Sequence, residues 1–505
     1  MTQTQQHEVA YWYDAGLEFT KNKQYQKALQ CYNKALEISP EDSRSLLNKG
    51  HALIELDKFA EAIISLDIFL QKFPEDASGL LNKAHALWNL EQFNDASRFI
   101  DIAIQKLPDG DFAWYLKGLI LGDLGKYQES IECFDKATKI NPKSIVSWLA
   151  LAHACSLLNN FAKAINIYKK ILKTHPDHLI SWLKKGIVEY DSHDLEAAVE
   201  SFDNVLRINP ESVDALCRKA YALGDLNKYE SAIECFDRAI QLEPTDYLTW
   251  YNKGITLYNT KRYNYALSCF EKSSQLNPNN YEVWYQKGLV LEEKNCLKEA
   301  ALAFEKTNKL QPLFAQAWIR KSSVLVSLKR YSESVESLDE AINIDPTSRL
   351  FESRGILLAI LLRHREAIKS FESAIEIDPK SCDAWLRKSL SLIATHQYDR
   401  ALESIEKAIE IDPSSGHSWG AKGNVLLQTY RPKEAISCFD KALEIIPNNS
   451  EIWNEKGLAL LDIGLWHQAL TCVEKSLQLD PGNYNAWRNK QTILFEINKY
   501  QEDLK

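Results

Sequence analysis

Proline returns every 34 residues from Pro40 through Pro74, Pro108 and onward to Pro346. One 33-residue step then leads to Pro379, and Pro413, Pro447 and Pro481 resume the spacing; only Pro432 stands outside the series. A fixed period of this length marks a small supersecondary unit copied in tandem. Such a unit cannot bury its own apolar faces, so the copies must stack into an elongated array. Fourteen periodic prolines therefore predict fourteen units in the 505-residue chain, which exceeds what one compact core usually serves.

With proline at position 32, the units begin at 9, 43, 77, 111, 145, 179, 213, 247, 281, 315, 348, 382, 416 and 450, and other columns fall into line. Position 4 is Trp in ten of the fourteen units, as in Trp12, Trp114 and Trp453. Position 8 is always Gly, Ala or Ser, position 20 always Ala or Ser, and position 24 always aromatic or aliphatic. The apolar positions repeat with a period near 3.6 on either side of a short break, which predicts two helices per unit. Small residues at 8 and 20 let the two backbones approach, and the large residue at 24 fills the gap beside them. Proline ends the second helix because it has no N–H to donate and restricts the residue before it. Residues 1–8 are expected to be a short N-terminal tail. Residues 484–505 keep the phase, with Trp487 at position 4 and Leu494 at position 11, and are expected to form one capping helix whose Arg488, Asn489, Gln491 and Thr492 face water.

The combination of Trp at 4, Gly/Ala at 8, Ala at 20, Phe/Tyr at 24 and Pro at 32 resembles the tetratricopeptide repeat (TPR), over residues 9–483. The resemblance, closest to prokaryotic tandem arrays, implies an all-α, right-handed superhelical solenoid of fourteen helix-turn-helix repeats plus the C-terminal capping helix. It implies a non-catalytic protein–protein interaction scaffold that binds partner peptide segments in a concave groove lined by the first helices. An alternative is a regulatory or substrate-recruiting subunit of an enzyme complex. Some members of the family grip a C-terminal carboxylate with Lys and Asn at positions 5 and 9, Asn at 6 of the next unit, and Lys and Arg at 2 and 6 of the third. Asn48, Asn82 and Asn252 occupy position 6, but the units before them offer Tyr13 and Leu17, Leu47 and His51, and Cys217 and Tyr221. No carboxylate clamp is expected.

Charge and composition narrow the function further. A net charge of −9 disfavours nucleic-acid binding, which needs a basic face to displace counterions. The start of the chain lacks a basic and apolar leader, and no apolar run is long enough to span a bilayer, so a cytoplasmic location without membrane insertion is expected. Ten Cys include no CxxC pair, and six of them (Cys31, Cys133, Cys235, Cys269, Cys438, Cys472) share one column, which suits buried packing thiols rather than a zinc site. No nucleophile, phosphate or metal motif is present, so neither a catalytic residue nor a cofactor is expected. His51, His85 and His153 share position 9, where neighbouring units stand too far apart to share one zinc. His175-Pro176-Asp177 contains the periodic proline and carries no separate meaning.

Position 7 is Lys or Arg in twelve units and position 25 is Asp or Glu in twelve; the exceptions coincide, Ala15 with Asn33 and Leu151 with Lys169. This coincidence suggests an ion pair within each unit. Pairing with the preceding unit would set Lys185 against Lys169. Either way a ladder of lysines beside acids is neutral and structural.

Function is then left to the positions that vary. Units 4–9 place Tyr115, Tyr190, Tyr221, Tyr251, Tyr258 and Tyr285 on the inner faces of first helices, with Asn252 and acids such as Glu282 among them. Tyrosine joins apolar area to a hydrogen-bonding tip, so this lining suits a basic or amphipathic peptide. Units 10–12 instead offer Ile319, Val326, Ile356, Ile360, Leu386, Leu390 and Ile393, which suit an apolar helix or strand.

Overall fold

The computed structural model describes residues 2–503, which fold into 29 α-helices and no strand. Consecutive helices pair as hairpins, each a first helix, a tight turn and a second helix, and a single helix (Tyr484–Asp503) follows the fourteenth hairpin. The chain divides into two compact units, Met1–Thr249 and Trp250–Lys505. Residues 3–8 belong to the first helix, Gln3–Lys21, because Thr2 and Gln5 cap it reciprocally: the Thr2 hydroxyl accepts from the Gln5 N–H and the Gln5 side chain accepts from the Thr2 N–H.

Local chemistry sets the helix limits. First helices commonly start behind Asp, Ser or Asn; the Asp42 carboxylate accepts the Ser45 N–H at 3.0 Å and the Asp76 carboxylate the Gly79 N–H at 2.8 Å. The turn inside each hairpin needs one residue in the left-handed region. Gly125 (φ 74°) and Gly464 (φ 80°) supply it without cost, whereas Lys23, Asn159, Leu362 and Tyr430 adopt it at about 1 kcal/mol each. At position 8 the close approach is real: a Cβ on Gly118 would sit 2.5 Å from the Phe134 ring.

The Trp and Pro columns turn out to be one device. Trp114 Nε1 donates to the Pro108 carbonyl at 2.8 Å, and Trp148, Trp182, Trp284, Trp318, Trp385, Trp419, Trp453 and Trp487 each donate to the proline six residues earlier. Each bond pins the start of one hairpin to the turn that leaves the hairpin before it.

The ion pairs run between hairpins, not within them, which corrects the sequence expectation. Lys83 meets Asp67 at 2.6 Å, Lys117 meets Asp101 at 2.6 Å, Lys219 meets Asp203 at 2.6 Å, and Lys388, Lys422, Lys456 and Lys490 meet Glu372, Glu406, Asp440 and Glu474. The reason is rotational. Position 24 of each second helix faces its own first helix, and the next residue lies about 100° further round, toward the first helix that follows. The clash foreseen between Lys185 and Lys169 is avoided by a local replacement. Glu189 stands at position 11, where the column is otherwise mostly Leu, and holds Lys185 at 2.6 Å within the same helix. The Ser201 hydroxyl accepts from Lys185 Nζ at 2.8 Å and donates to the second Glu189 oxygen. With exposures of 8% and 3%, this pair is buried, unlike the half-exposed acids elsewhere in the ladder. Asp135, opposite Leu151, takes Lys139 at 3.2 Å instead.

The last helix buries Ala486, Ile493 and Ile497, but its outer face is mixed. Arg488, Gln491 and Thr492 are exposed, and so are Trp487 (50%) and Phe495 (65%). Trp487 and Leu494 keep the positions that a second helix covers in the other hairpins.

Candidate functional site

In the first compact unit the inner-face tyrosines are half-buried and partly committed to internal contacts. Tyr115 packs against Phe134 with ring centroids 5.9 Å apart, and burial raises its hydroxyl pKa. Tyr190 donates to Asp225 at 2.6 Å; burial, then this carboxylate, push its pKa up to about 12. Tyr221 leans on Phe236 at 5.8 Å and is likewise pushed to about 12, first by burial and then by Cys217 and Asp246. The Tyr190–Asp225 bond has a counterpart three hairpins earlier, where Trp88 Nε1 donates to Asp123 at 2.6 Å. Both link position 12 of one first helix to position 13 of the next. A cleft of about 560 Å³ beside this link is lined by Ser156, Asn159, Tyr190, Asp191, His193 and Asp225 among others.

In the second unit, Tyr251 packs on Phe270 at 5.9 Å, and burial followed by the Glu282 carboxylate raises it to about 12. Tyr258 lies 5.7 Å from Tyr263, whose hydroxyl reaches toward Glu293. Tyr285 is wedged between Phe304 at 5.8 Å and Phe314 at 5.0 Å. Asn252 is half-buried on the helix that carries Tyr251, and Glu282 is exposed. Tyr115, Tyr221, Tyr251, Tyr258 and Tyr285 thus each keep a ring against an aromatic of their own second helix.

The apolar stretch has a cavity. A cleft of about 780 Å³ opens between the first helices of hairpins 10 and 11, Ala315–Ser327 and Ser348–Ile360. Ile319, Val326 and Ile356, with Leu338, Leu350 and Leu357, form its apolar part, and Arg320, Ser323, Arg349 and Ser353 stand beside them. It lies at the joint shortened by one residue. There Thr347 occupies the cap position with an extended backbone but makes no side-chain cap bond, unlike Asp42 or Ser381. Sequence reasoning placed the isoleucines and missed the cleft and its arginines; the 33-residue step was the available signal. Ile360 and Leu390 are half-exposed outside the cleft lining, and Ile393 is half-buried.

Other singled-out residues make internal contacts. His85 stacks on Trp88 and meets Phe112 edge-on, and burial lowers its pKa. His178 caps a helix, its Nδ1 accepting the Ser181 N–H. Among the described residues no group of His, Cys, Asp and Glu could hold a metal ion. Of the six column cysteines, Cys31, Cys133, Cys269, Cys438 and Cys472 are buried and Cys235 is half-buried; burial raises the Cys133 thiol to about 11. No helix among the described residues is long and apolar enough to cross a membrane.

Family comparisons agree with this construction. Models described as tetratricopeptide repeat match residues 9–42, 112–144, 213–246 and 247–280, and related models of the same description match 31–64, 145–188, 315–348, 354–416 and 392–459. Residues 466–497 match the protein prenyltransferase alpha subunit repeat. No curated protein matches the chain. Among solved structures, the APC/C hetero-tetramer Cut9-Hcn1 is similar over 98% of this chain and 97% of its own, at 15% identity and a TM-score of 0.37. YrrB, described as a TPR protein with an unusual peptide-binding site, is similar over 38% of this chain and 98% of its own, at 25% identity and a TM-score of 0.34. MamA is similar over 32% of this chain and 95% of its own, at 24% identity and a TM-score of 0.31. With its repeat matches spread over more than half its length, and with every diagnostic column serving the packing described above, the chain belongs to the tetratricopeptide repeat family.

Proposed function

We propose that this chain is a non-catalytic scaffold that holds partner polypeptide segments against the inner faces of its first helices. The observation that carries the reading is the cleft at hairpins 10 and 11, about 780 Å³, where apolar side chains meet hydroxyl and guanidinium groups. Ligand sites combine those ingredients: apolar area for affinity and a few polar groups for orientation. The segment that suits it carries an apolar side chain for Ile319, Val326 and Ile356, continuing toward Ile360, Leu390 and Ile393. The acid- and tyrosine-lined faces, with Tyr115, Tyr190 and Tyr221 in one compact unit and Tyr251, Tyr258, Glu282 and Tyr285 in the other, suit a basic or amphipathic segment. The pairing of most ladder lysines with acids supports leaving the ladder out of the site. The test is affinity capture from the native cell with wild type, Ile356→Asp/Leu390→Asp and Tyr251→Ala/Tyr285→Ala. Loss with the first variant alone assigns the apolar cleft, and loss with the second alone assigns the tyrosines. Retention by both overturns the reading. A captured partner with catalytic activity is what the enzyme-complex alternative requires.

A further inference from the structure

The fifth hairpin breaks the charge pattern of the whole array. No Asp or Glu occurs from 136 to 176, although the chain carries 69 in 505 residues, and the same stretch holds Lys136, Lys139, Lys143, Lys163, Lys169, Lys170 and Lys173. All seven are exposed. They lie on the second helices of hairpins 4 and 5 (Tyr127–Ile140 and Phe161–Thr174) and the turn between hairpins, away from the inner face discussed above.

Few of these charges are answered. Asp135 takes Lys139 at 3.2 Å and stands 4.0 Å from Lys163. Lys136 and Lys170 lie over the rings of Trp114 and Trp148, at 4.0 and 5.4 Å. Lys143, Lys169 and Lys173 make no ion pair among the described residues. Lys169 stands where twelve other hairpins carry an acid, and the lysine that such an acid would serve, Lys185, is buried and neutralised by Glu189 instead. The compensation at Lys185 thus leaves Lys169 facing water with its full charge. Beside it, a pocket of about 490 Å³ is lined by Pro142, Lys143, Trp148, Lys170, Thr174 and His175, with Ile145 and Ile171 completing it.

We propose that this outer face of the fifth hairpin is a docking surface for an acidic polypeptide segment, one that lays carboxylates along Lys143, Lys169, Lys170 and Lys173 and an apolar side chain against Trp148. Charge complementarity argues for an anion, and the size of the patch argues for a short one. Exposed Glu129 and Glu132 bound it on one side and exposed Glu196, Glu200 and Asp203 on the other. A long polyanion such as a nucleic acid needs a continuous basic track and would run onto those acids. An extended peptide several residues long stays within the patch.

The experiment uses the full chain and a labelled peptide of alternating glutamate and leucine, read by fluorescence anisotropy. Binding is expected for the wild type and should weaken as salt rises, because exposed charges are screened beyond about 8 Å at physiological ionic strength. Lys143→Glu/Lys169→Glu/Lys173→Glu should abolish it. Lys143→Gln/Lys169→Gln/Lys173→Gln should weaken it about tenfold, because three exposed charge contacts are lost together. The same charge change at Lys23→Glu/Lys261→Glu/Lys329→Glu should leave binding intact. Absence of wild-type binding, equal losses in the test and control triples, or tighter binding to phosphatidylserine vesicles or duplex DNA than to the peptide would each overturn the proposal. Unchanged helical circular dichroism in the variants excludes unfolding as the cause.

Discussion

Lys83 Nζ lies 2.6 Å from Asp67 Oδ1, and the two residues belong to consecutive hairpins. The pair is therefore a tie across a joint of the solenoid, beside the tryptophan–proline bond that spans the same kind of joint elsewhere. Because Lys83 is mostly covered and Asp67 about half-exposed, its worth is about 0.5 kcal/mol. A double-mutant cycle in urea on Lys83→Ala and Asp67→Ala should return a coupling of that size, and a cycle on Lys83→Ala with Asp101→Ala should return none. Coupling confined to the second cycle would restore pairing within the hairpin.

The buried pair behaves differently. Glu189→Leu restores the usual residue of its column but leaves Lys185 covered and without its carboxylate. Removing one partner of a buried pair costs about 3 kcal/mol, so this variant should melt well below the wild type. Adding Lys169→Glu supplies the acid that other hairpins carry and should recover part of the loss. A Glu189→Leu protein as stable as the wild type would show that the pair is not structural.

Close approach at position 8 predicts a steric penalty. Gly118→Val puts branched carbons where even a Cβ would lie 2.5 Å from Phe134, and overpacking of this kind costs about 2 kcal/mol. Combining it with Phe134→Leu should return stability toward the single Phe134→Leu value, since hairpin 10 combines Ser322 with Leu338 at the same positions. Thermal denaturation of the three variants checks this; strictly additive losses would contradict it.

These comparisons show which parts of the molecule the sequence discloses. The hairpins were legible because the period, the tryptophans and the small residues repeat together, and each column has one packing role. The direction of the ion pairs was not legible. Position 7 is separated from an acid by 18 residues within its unit and by 16 across the joint, and only the rotation of the second helix decides between them. Glu189 was a visible departure from a leucine column, and it resolves the very clash that argued for the wrong partner. At the candidate site, the sequence put Tyr190 on a first helix but did not show its hydroxyl bound to Asp225. Likewise it showed a missing residue after Pro346 without showing the cleft beside it.

Tyrosine titration gives a pH test of the inner face. Tyr190, Tyr221 and Tyr251 ionise near 12 in the folded chain, above the value near 10 of a free phenol. A raised pKa means that the folded state holds the proton more tightly. This contribution to stability is complete below pH 10 and is lost as pH rises from there toward 12. Absorbance titration should show a late-ionising class of tyrosinates that shrinks in Tyr190→Phe, and urea midpoints should fall above pH 10. All tyrosines titrating together near 10 would place these hydroxyls in free contact with water.

The division of labour between constant columns and varying inner-face residues is tested most directly by a photo-crosslinkable amino acid at Ile356, introduced into the native cell. The expected result is a crosslink to a defined partner segment that disappears on adding Leu390→Asp and persists with Lys83→Ala. A crosslink indifferent to Leu390→Asp but lost with Lys83→Ala, or none at Ile356 while the partner still co-purifies, would contradict it.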